Sequence, residues 1–360
     1  MAVPEEKGGK GSATEVPESR AGTREGGFRG DDPRKGDSLE GGTPGTPHGN
    51  PLVRAGKIAL QLLLTGVVTW FILRAVGLDL RGLRSLDLSL WTVRWGTVTL
   101  SGFLLMGAYA YSAGLWGVMV REIGGYDVGP LASLRVFFTA NLARYVPGKL
   151  WQIAGLAYLA RREGVSPGTA TGAAVLGQAF ALGGATLVGA GVLARNDLGV
   201  RFGGGWATAA LLIVLVAATF PAVFRGAVAL WFRLARAEVP GGFRPDQVFG
   251  VRWLLLHALA WVFQGLAFWV LARGLGLDPG VFAAVAAYAA GYALGYIAVF
   301  APAGIGVREG FLIAFLGPIL GGPAAAALAV VARVWSTAME IILALALAGG
   351  YVSSSGKRKG

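Results

Sequence analysis

The 360-residue chain contains no cysteine, which excludes disulfides, thiolate metal sites, cysteine nucleophiles and S-palmitoylation together and leaves the redox compartment open. Histidine is nearly as scarce. His48 lies in a polar tail and His257 in an apolar run, so no His-rich metal site can be assembled from this chain alone. Charged residues make up only 14%, against about 25% in an ordinary soluble domain. What remains is apolar, 54% of residues with a mean hydropathy of +0.58. That balance predicts an all-α, polytopic helical membrane protein.

The first 50 residues stand apart. They are rich in Gly, Pro, Glu and Arg with almost no aliphatic runs, so 1–50 reads as a disordered tail that cannot bury enough surface to fold. No basic stretch leads straight into an apolar one, so a cleaved signal peptide is not expected and the first span is expected to serve as an uncleaved anchor. The tail carries seven basic and nine acidic residues; with a chain total of +12, residues 51–360 carry +14. That excess suits anionic lipid headgroups or an anionic substrate, although a juxtamembrane surplus of Lys and Arg is its commoner cause.

A helical span needs about 20 mostly apolar residues. Long spans are expected near 55–76, 95–120, 168–194, 205–224, 252–273, 281–301 and 324–350. The whole is about seven or eight spans plus re-entrant segments, in two pseudo-repeat halves (roughly 51–236 and 248–350) followed by a basic tail, 351–360. Residues 225–236 place Arg225, Arg233 and Arg236 opposite Leu230, Trp231 and Leu234, as in an interfacial helix. Residues 237–247 form the clearest linker. With the N-terminus cytoplasmic, Arg121, Arg161, Arg162, the arginines from Arg225 to Arg252 and Lys357-Arg358-Lys359 fall inside; Arg74, Arg81, Arg84 and Arg94 run against that orientation.

Two segments break this regularity. Pro147-Gly148 divides 133–160 into arms of about a dozen residues, the length of a re-entrant hairpin, with Arg144, Tyr145, Lys149 and Trp151 beside the break. Near the end, Pro302, Gly304 and Gly306 precede Arg308 and Glu309, and 303–320 is short for a crossing. In lipid an unpaired backbone group costs several kcal/mol, so broken helices persist where protein or a polar cavity surrounds them, and paired breaks point to a transporter-like site. The glycines do not make a nucleotide loop, because the preceding run is a span of alanines and tyrosines rather than a strand. A helix beginning near Ile305 would aim its positive end at an anion; a tight turn with an interfacial Arg and Glu is the plainer reading. Arg144 and Lys149 suit a phosphate-bearing headgroup, or they snorkel to the interface.

The last span carries Arg333 and Glu340 seven residues apart, about 10 Å along one face. Ionisable groups at that depth mark a functional site by default. Arg333 is expected to meet Glu309 or the substrate, and Glu340 a cation from one of the breaks; a structural ion-pair network fits equally well. Tyr288, Tyr292 and Tyr296 form one stripe beside a Gly291/Gly295 face, read first as helix packing, as are Gly172, Gly177, Gly183 and Gly184. His257 is read as an interhelical hydrogen bond.

At the segments Arg144-Tyr145-Val146-Pro147-Gly148-Lys149-Leu150-Trp151, Arg162-Glu163-Gly164-Val165-Ser166, Pro302-Ala303-Gly304-Ile305-Gly306-Val307-Arg308-Glu309-Gly310 and Arg333-Val334-Trp335, the chain resembles the transmembrane region of lysylphosphatidylglycerol synthases, a flippase-like family. The likeness covers roughly residues 52–350. It implies a lipid-translocating module, fused in some members to a cytoplasmic aminoacyltransferase domain. Only about ten residues follow the last span here, so a stand-alone member without synthase activity is expected. Relatives often carry a glutamate near Gly177-Gln178, which this chain lacks.

The expected function is a multi-pass plasma-membrane protein that translocates or shields a polar, phosphate-bearing lipid headgroup at the two breaks. Substrate contacts are assigned to Arg144, Tyr145, Pro147, Gly148, Lys149, Trp151, Pro302, Gly304, Gly306, Arg308, Glu309, Arg333 and Glu340. No cofactor, metal or nucleic acid is expected. The partners are phospholipid or polyprenyl-phosphate-linked lipid, with a soluble transferase as a candidate. The alternatives are a non-transporting membrane subunit of a synthase or glycosyltransferase and, less favoured because Glu309, Glu340 and His257 stand isolated, a membrane transferase.

Overall fold

A computed structural model of the chain describes residues 92–141, 150–195, 245–297 and 306–357, together with eight positions between 213 and 233. The expected span at 55–76, the tail 1–50, and the break residues Arg144, Tyr145, Pro147, Gly148, Lys149, Pro302 and Gly304 lie outside the described residues, as do most of 205–224 and most of 225–236.

Among the described residues all regular structure is helical: α1 (Trp95–Gly124), α2 (Pro130–Asn141), α3 (Leu150–Arg162), α4 (Pro167–Arg195), α5 (Gln247–Gly274), α6 (Val281–Ile297), α7 (Val307–Leu320) and α8 (Gly322–Lys357). Four are long and apolar enough to cross a membrane, namely α1, α4, α5 and α8. They answer to the spans read at 95–120, 168–194, 252–273 and 324–350. Helix α6 covers 17 residues of the expected 281–301. The arms predicted around Pro147-Gly148 are α2 and α3, of 12 and 13 residues, and the short segment after Pro302 is the 14-residue α7.

Local chemistry sets the helix ends. Prolines open α2 and α4, where their missing N–H is not needed. Asp246 caps α5, its Oδ1 accepting from the Phe249 N–H at 2.7 Å. Helices α1 and α5 run antiparallel and are pinned at both ends. At one end the Arg94 N–H donates to the Gly274 carbonyl at 2.7 Å. At the other, Glu122 Oε2 accepts from Arg252 Nη2 at 2.5 Å and from Trp253 Nε1 at 3.0 Å.

Helices α4, α5 and α6 meet backbone to backbone. A Cβ added at Gly184 would lie 2.6 Å from the Ala258 nitrogen, at Gly189 2.8 Å from Ala290 Cα, and at Gly265 2.7 Å from Val285 Cα. Without a hydrophobic drive between helices in lipid, such small-residue contacts are what allows close packing. Two main apolar cores result. One, around Phe268, Tyr288, Leu312 and Trp335, joins α5 to α8; the other, around Trp116, Met119, Phe180 and Trp253, joins α1 through α5. Each draws on both sequence halves.

Gly184→Ala should therefore destabilise the bundle by about 1–3 kcal/mol through overpacking, lowering the thermal midpoint of detergent-solubilised protein. Gly191→Ala on the same helix, with nothing within 4 Å of the new methyl, should be neutral or slightly stabilising.

Candidate functional site

All eight described helices contribute to the lining of one partly polar, partly open cavity of about 140 Å³. Tyr109 and Ser112 of α1 line it, with Asn141 of α2, Gln152 of α3, Gln178 of α4, His257 and Gln264 of α5, Tyr292 of α6, Arg308 of α7 and Glu340 of α8. Its lining on α1 runs from Tyr109 to Met119, that is, from mid-helix toward the C-terminal end. Exposed Arg121, Arg161, Arg162 and Arg252 gather at that end of the bundle. Its polar and charged lining suits a lipid headgroup and not acyl chains.

Helix α7 begins inside the protein. Gly306, in the left-handed region at φ 83°, turns the chain into it, a conformation that a side chain would strain. The helix starts at Val307, two residues later than expected. The acceptor at its positive end is the chain's own carboxylate: Glu309 Oε2 accepts from the Gly306 N–H at 2.6 Å. Glu309 Oε1 also lies 3.8 Å from Arg333 Nη1, with both side chains largely buried. Of the two partners its position suggested, Arg333 thus meets Glu309. That carboxylate anchors α7 to α8.

Arg308, next in sequence, points the other way. Its Cζ sits 4.4 Å from the centroid of the Tyr288 ring, a cation–π contact worth about 2 kcal/mol or more when desolvated. The backbone of α7 comes close enough for this because α6 offers glycine. A Cβ at Gly295 would lie 3.1 Å from Arg308 Cβ, and one at Gly291 3.5 Å from the Arg308 carbonyl oxygen. The Gly291/Gly295 face is a packing face, as read, and its partner is the first turn of α7. Although deep in the bundle, Arg308 keeps intermediate accessibility, as a side chain lining a cavity does. Glu340, 8% exposed, lines the same cavity.

The tyrosine stripe divides its work. Tyr288 is core, stacked on Phe268 at 4.9 Å between centroids. Tyr292 lines the cavity, packs on Trp261 at 4.2 Å and accepts a hydrogen bond from Gln178 Nε2 at 3.0 Å. His257 corrects the sequence reading: its Nδ1 lies 2.9 Å from the Trp253 carbonyl of its own helix. The i−4 carbonyl is the nearer acceptor, so the bond is intrahelical. Across the first break, Gln152 Nε2 donates to Asn141 Oδ1 at 2.6 Å, joining the two arms of the hairpin. Trp151 falls in the first turn of α3.

Thus Arg308 and Glu340 are brought to the cavity, Glu309 and Arg333 to the joint beside it, and Gly306 to the turn between. The sequence reading passed over the carboxamides Asn141, Gln152 and Gln264. The signal available was an uncharged amide within an otherwise apolar helix.

A helical bundle with four membrane-length helices around a charged cavity defines a multi-pass membrane protein. The profile of the family described as Lysylphosphatidylglycerol synthase TM region matches residues 58–344, and the chain belongs to that family. The family places it among lipid-related membrane proteins. No curated protein and no solved structure matches the chain.

If Glu309 both caps α7 and pairs with Arg333, Glu309→Gln should keep the cap and lose the ion pair, while Glu309→Ala loses both. Thermal unfolding should rank wild type above Glu309→Gln above Glu309→Ala, with about 1 kcal/mol between the two variants. Equal midpoints for the variants would contradict the capping role.

Proposed function

We propose that the protein shields, and moves across the bilayer, a polar lipid headgroup that carries phosphate, with the headgroup in the cavity and the tails in lipid. The observation that carries this reading is the presence of Arg308, from a helix that starts inside the bundle, and Glu340, from the last helix, in one cavity deep in the bundle. A guanidinium recognises phosphate by paired, charge-assisted hydrogen bonds, and an interrupted helix at membrane depth is the usual setting for a transported group.

Arg144 and Lys149 of the first break are assigned to the entrance of this path, with Tyr145 and Trp151 at headgroup depth; Glu309 and Arg333 act as the joint that holds α7 in place. The arginine-rich end is assigned to the cytoplasm, with the N-terminus, in the plasma membrane. The cavity then faces the cytoplasmic leaflet first. No covalent step is required. The second reading, a membrane subunit that scaffolds a lipid-modifying synthase without transport, is supported by the family's description as the membrane region of such a synthase.

The two readings separate in reconstituted vesicles. Transport of headgroup-labelled phosphatidylglycerol between leaflets should fall at least tenfold in Arg308→Ala, since a hydrogen bond to a charged group is worth about 1.5–3 kcal/mol. Equal transport at equal reconstitution would remove Arg308 from the site. Absence of transport by the wild type would favour the scaffold.

A further inference from the structure

The guanidinium of Arg308 and the carboxylate of Glu340 line one cavity, and their charges cancel. A phosphodiester headgroup entering it brings one further negative charge. An uncompensated charge in a protein interior is costly. A proton taken up from water removes it.

The group placed to take that proton is His257, 8% exposed, which lines the cavity from α5. Its Nδ1 stands 2.9 Å from the Trp253 carbonyl. A carbonyl can only accept, so Nδ1 carries the hydrogen and Nε2 of the neutral ring holds the lone pair. Nε2 lies on the side of Gly177, itself part of the wall, 3.9 Å from where a Cβ there would stand. Protonation at Nε2 therefore makes an imidazolium without any change of ring orientation. Phe180 and Trp253 flank the ring with centroids 6.0 and 5.8 Å from its own, within the range at which an aromatic ring attracts a cation.

The other groups facing His257 do not supply this charge. Tyr109 of α1 and Tyr292 of α6 line the cavity, and Tyr111 of α1 reaches the neighbouring Leu256 carbonyl; a phenol gains no positive charge. Arg308 of α7 keeps its proton throughout. The lining from α2, α3 and α4 is uncharged. That leaves Glu340 of α8 as the rival acceptor, and carboxyl groups ordinarily take a proton only near about pH 4, against about pH 6.5 for imidazole.

We propose that headgroup binding is coupled to proton uptake at His257 Nε2, one proton with each phosphate-bearing lipid, so that the loaded cavity is neutral. The inference rests on the reading of the cavity as a headgroup site. It makes transport a proton–lipid symport, driven by a pH difference and indifferent to the membrane potential. Linkage fixes the sign. The complex holds more protons than the free protein, so affinity is greatest at low pH and falls as pH rises, by at most about tenfold per unit for one proton.

The test is calorimetric titration of the full chain in detergent with short-chain phosphatidylglycerol, which keeps a single negative charge across the window around histidine's ordinary titration, about pH 6.5 to 8.5. Repeating the titration in two buffers of different ionisation heat counts protons. Wild type should take up about half a proton or more per lipid at some pH in that window, with affinity falling as pH rises. His257→Asn, whose amide replaces Nδ1–H as donor to the Trp253 carbonyl, should bind the lipid with uptake below about a tenth of a proton and an affinity independent of pH. His48 remains in that variant as the control for histidine elsewhere. Should the variant fail to fold, His257→Gln is read in the same way. Lipid binding by wild type without proton uptake would overturn the coupling and leave the headgroup reading standing. Undiminished uptake in the His257 variant, or uptake that only Glu340→Gln abolishes, would overturn the assignment to His257. Failure of wild type to bind the lipid would overturn the headgroup reading and the coupling with it.

Discussion

Arg308 stands in the first turn of a helix that starts inside the bundle, and the packing around it is what permits a guanidinium there. Charge at membrane depth is costly unless it meets protein partners or a polar cavity. Here the aromatic face of Tyr288 meets one side of the group at 4.4 Å, and the glycine face of α6 lets the α7 backbone approach closely enough for that contact to form. The next residue, Glu309, points away and fastens the same turn to Gly306 and Arg333. Adjacent residues thus separate positioning from presentation. One fixes the helix start and the other lines the cavity.

That division explains why the bundle tolerates a break at all. The backbone N–H of Gly306, which an unbroken helix would have satisfied, is taken up by Glu309, so the interruption leaves no exposed donor there. Around it the long helices are locked by small-residue contacts among α4, α5 and α6 and by the Glu122–Arg252 and Arg94–Gly274 links at the two ends of α1 and α5. A rigid frame and a short inserted helix are the parts needed to hold a polar chamber within lipid.

Much of this was legible in sequence because the bilayer imposes lengths. The apolar runs that became α1, α4, α5 and α8 could hardly be anything but membrane helices, and the sequence around Pro147-Gly148 predicted two short arms, which answer to α2 and α3. The Arg333–Glu309 contact was within reach because few partners exist for charge on an apolar span. The carboxamides that line the cavity were not legible. An isolated Gln or Asn in a membrane helix looks the same whether it bonds a neighbouring helix, as Gln178 does with Tyr292, or lines a cavity, as Gln264 does. Only the three-dimensional arrangement separates these cases. His257 failed for a related reason, since competition from its own helix's carbonyl is invisible in one dimension.

The central claim is that a phosphate-bearing lipid headgroup occupies the cavity against Arg308. Native mass spectrometry of the protein released from mild detergent tests it most directly. Wild-type protein should retain one phosphate-bearing lipid per chain, and Arg308→Ala should lose it. Equal retention by both proteins, or a retained lipid without phosphate, would contradict the account.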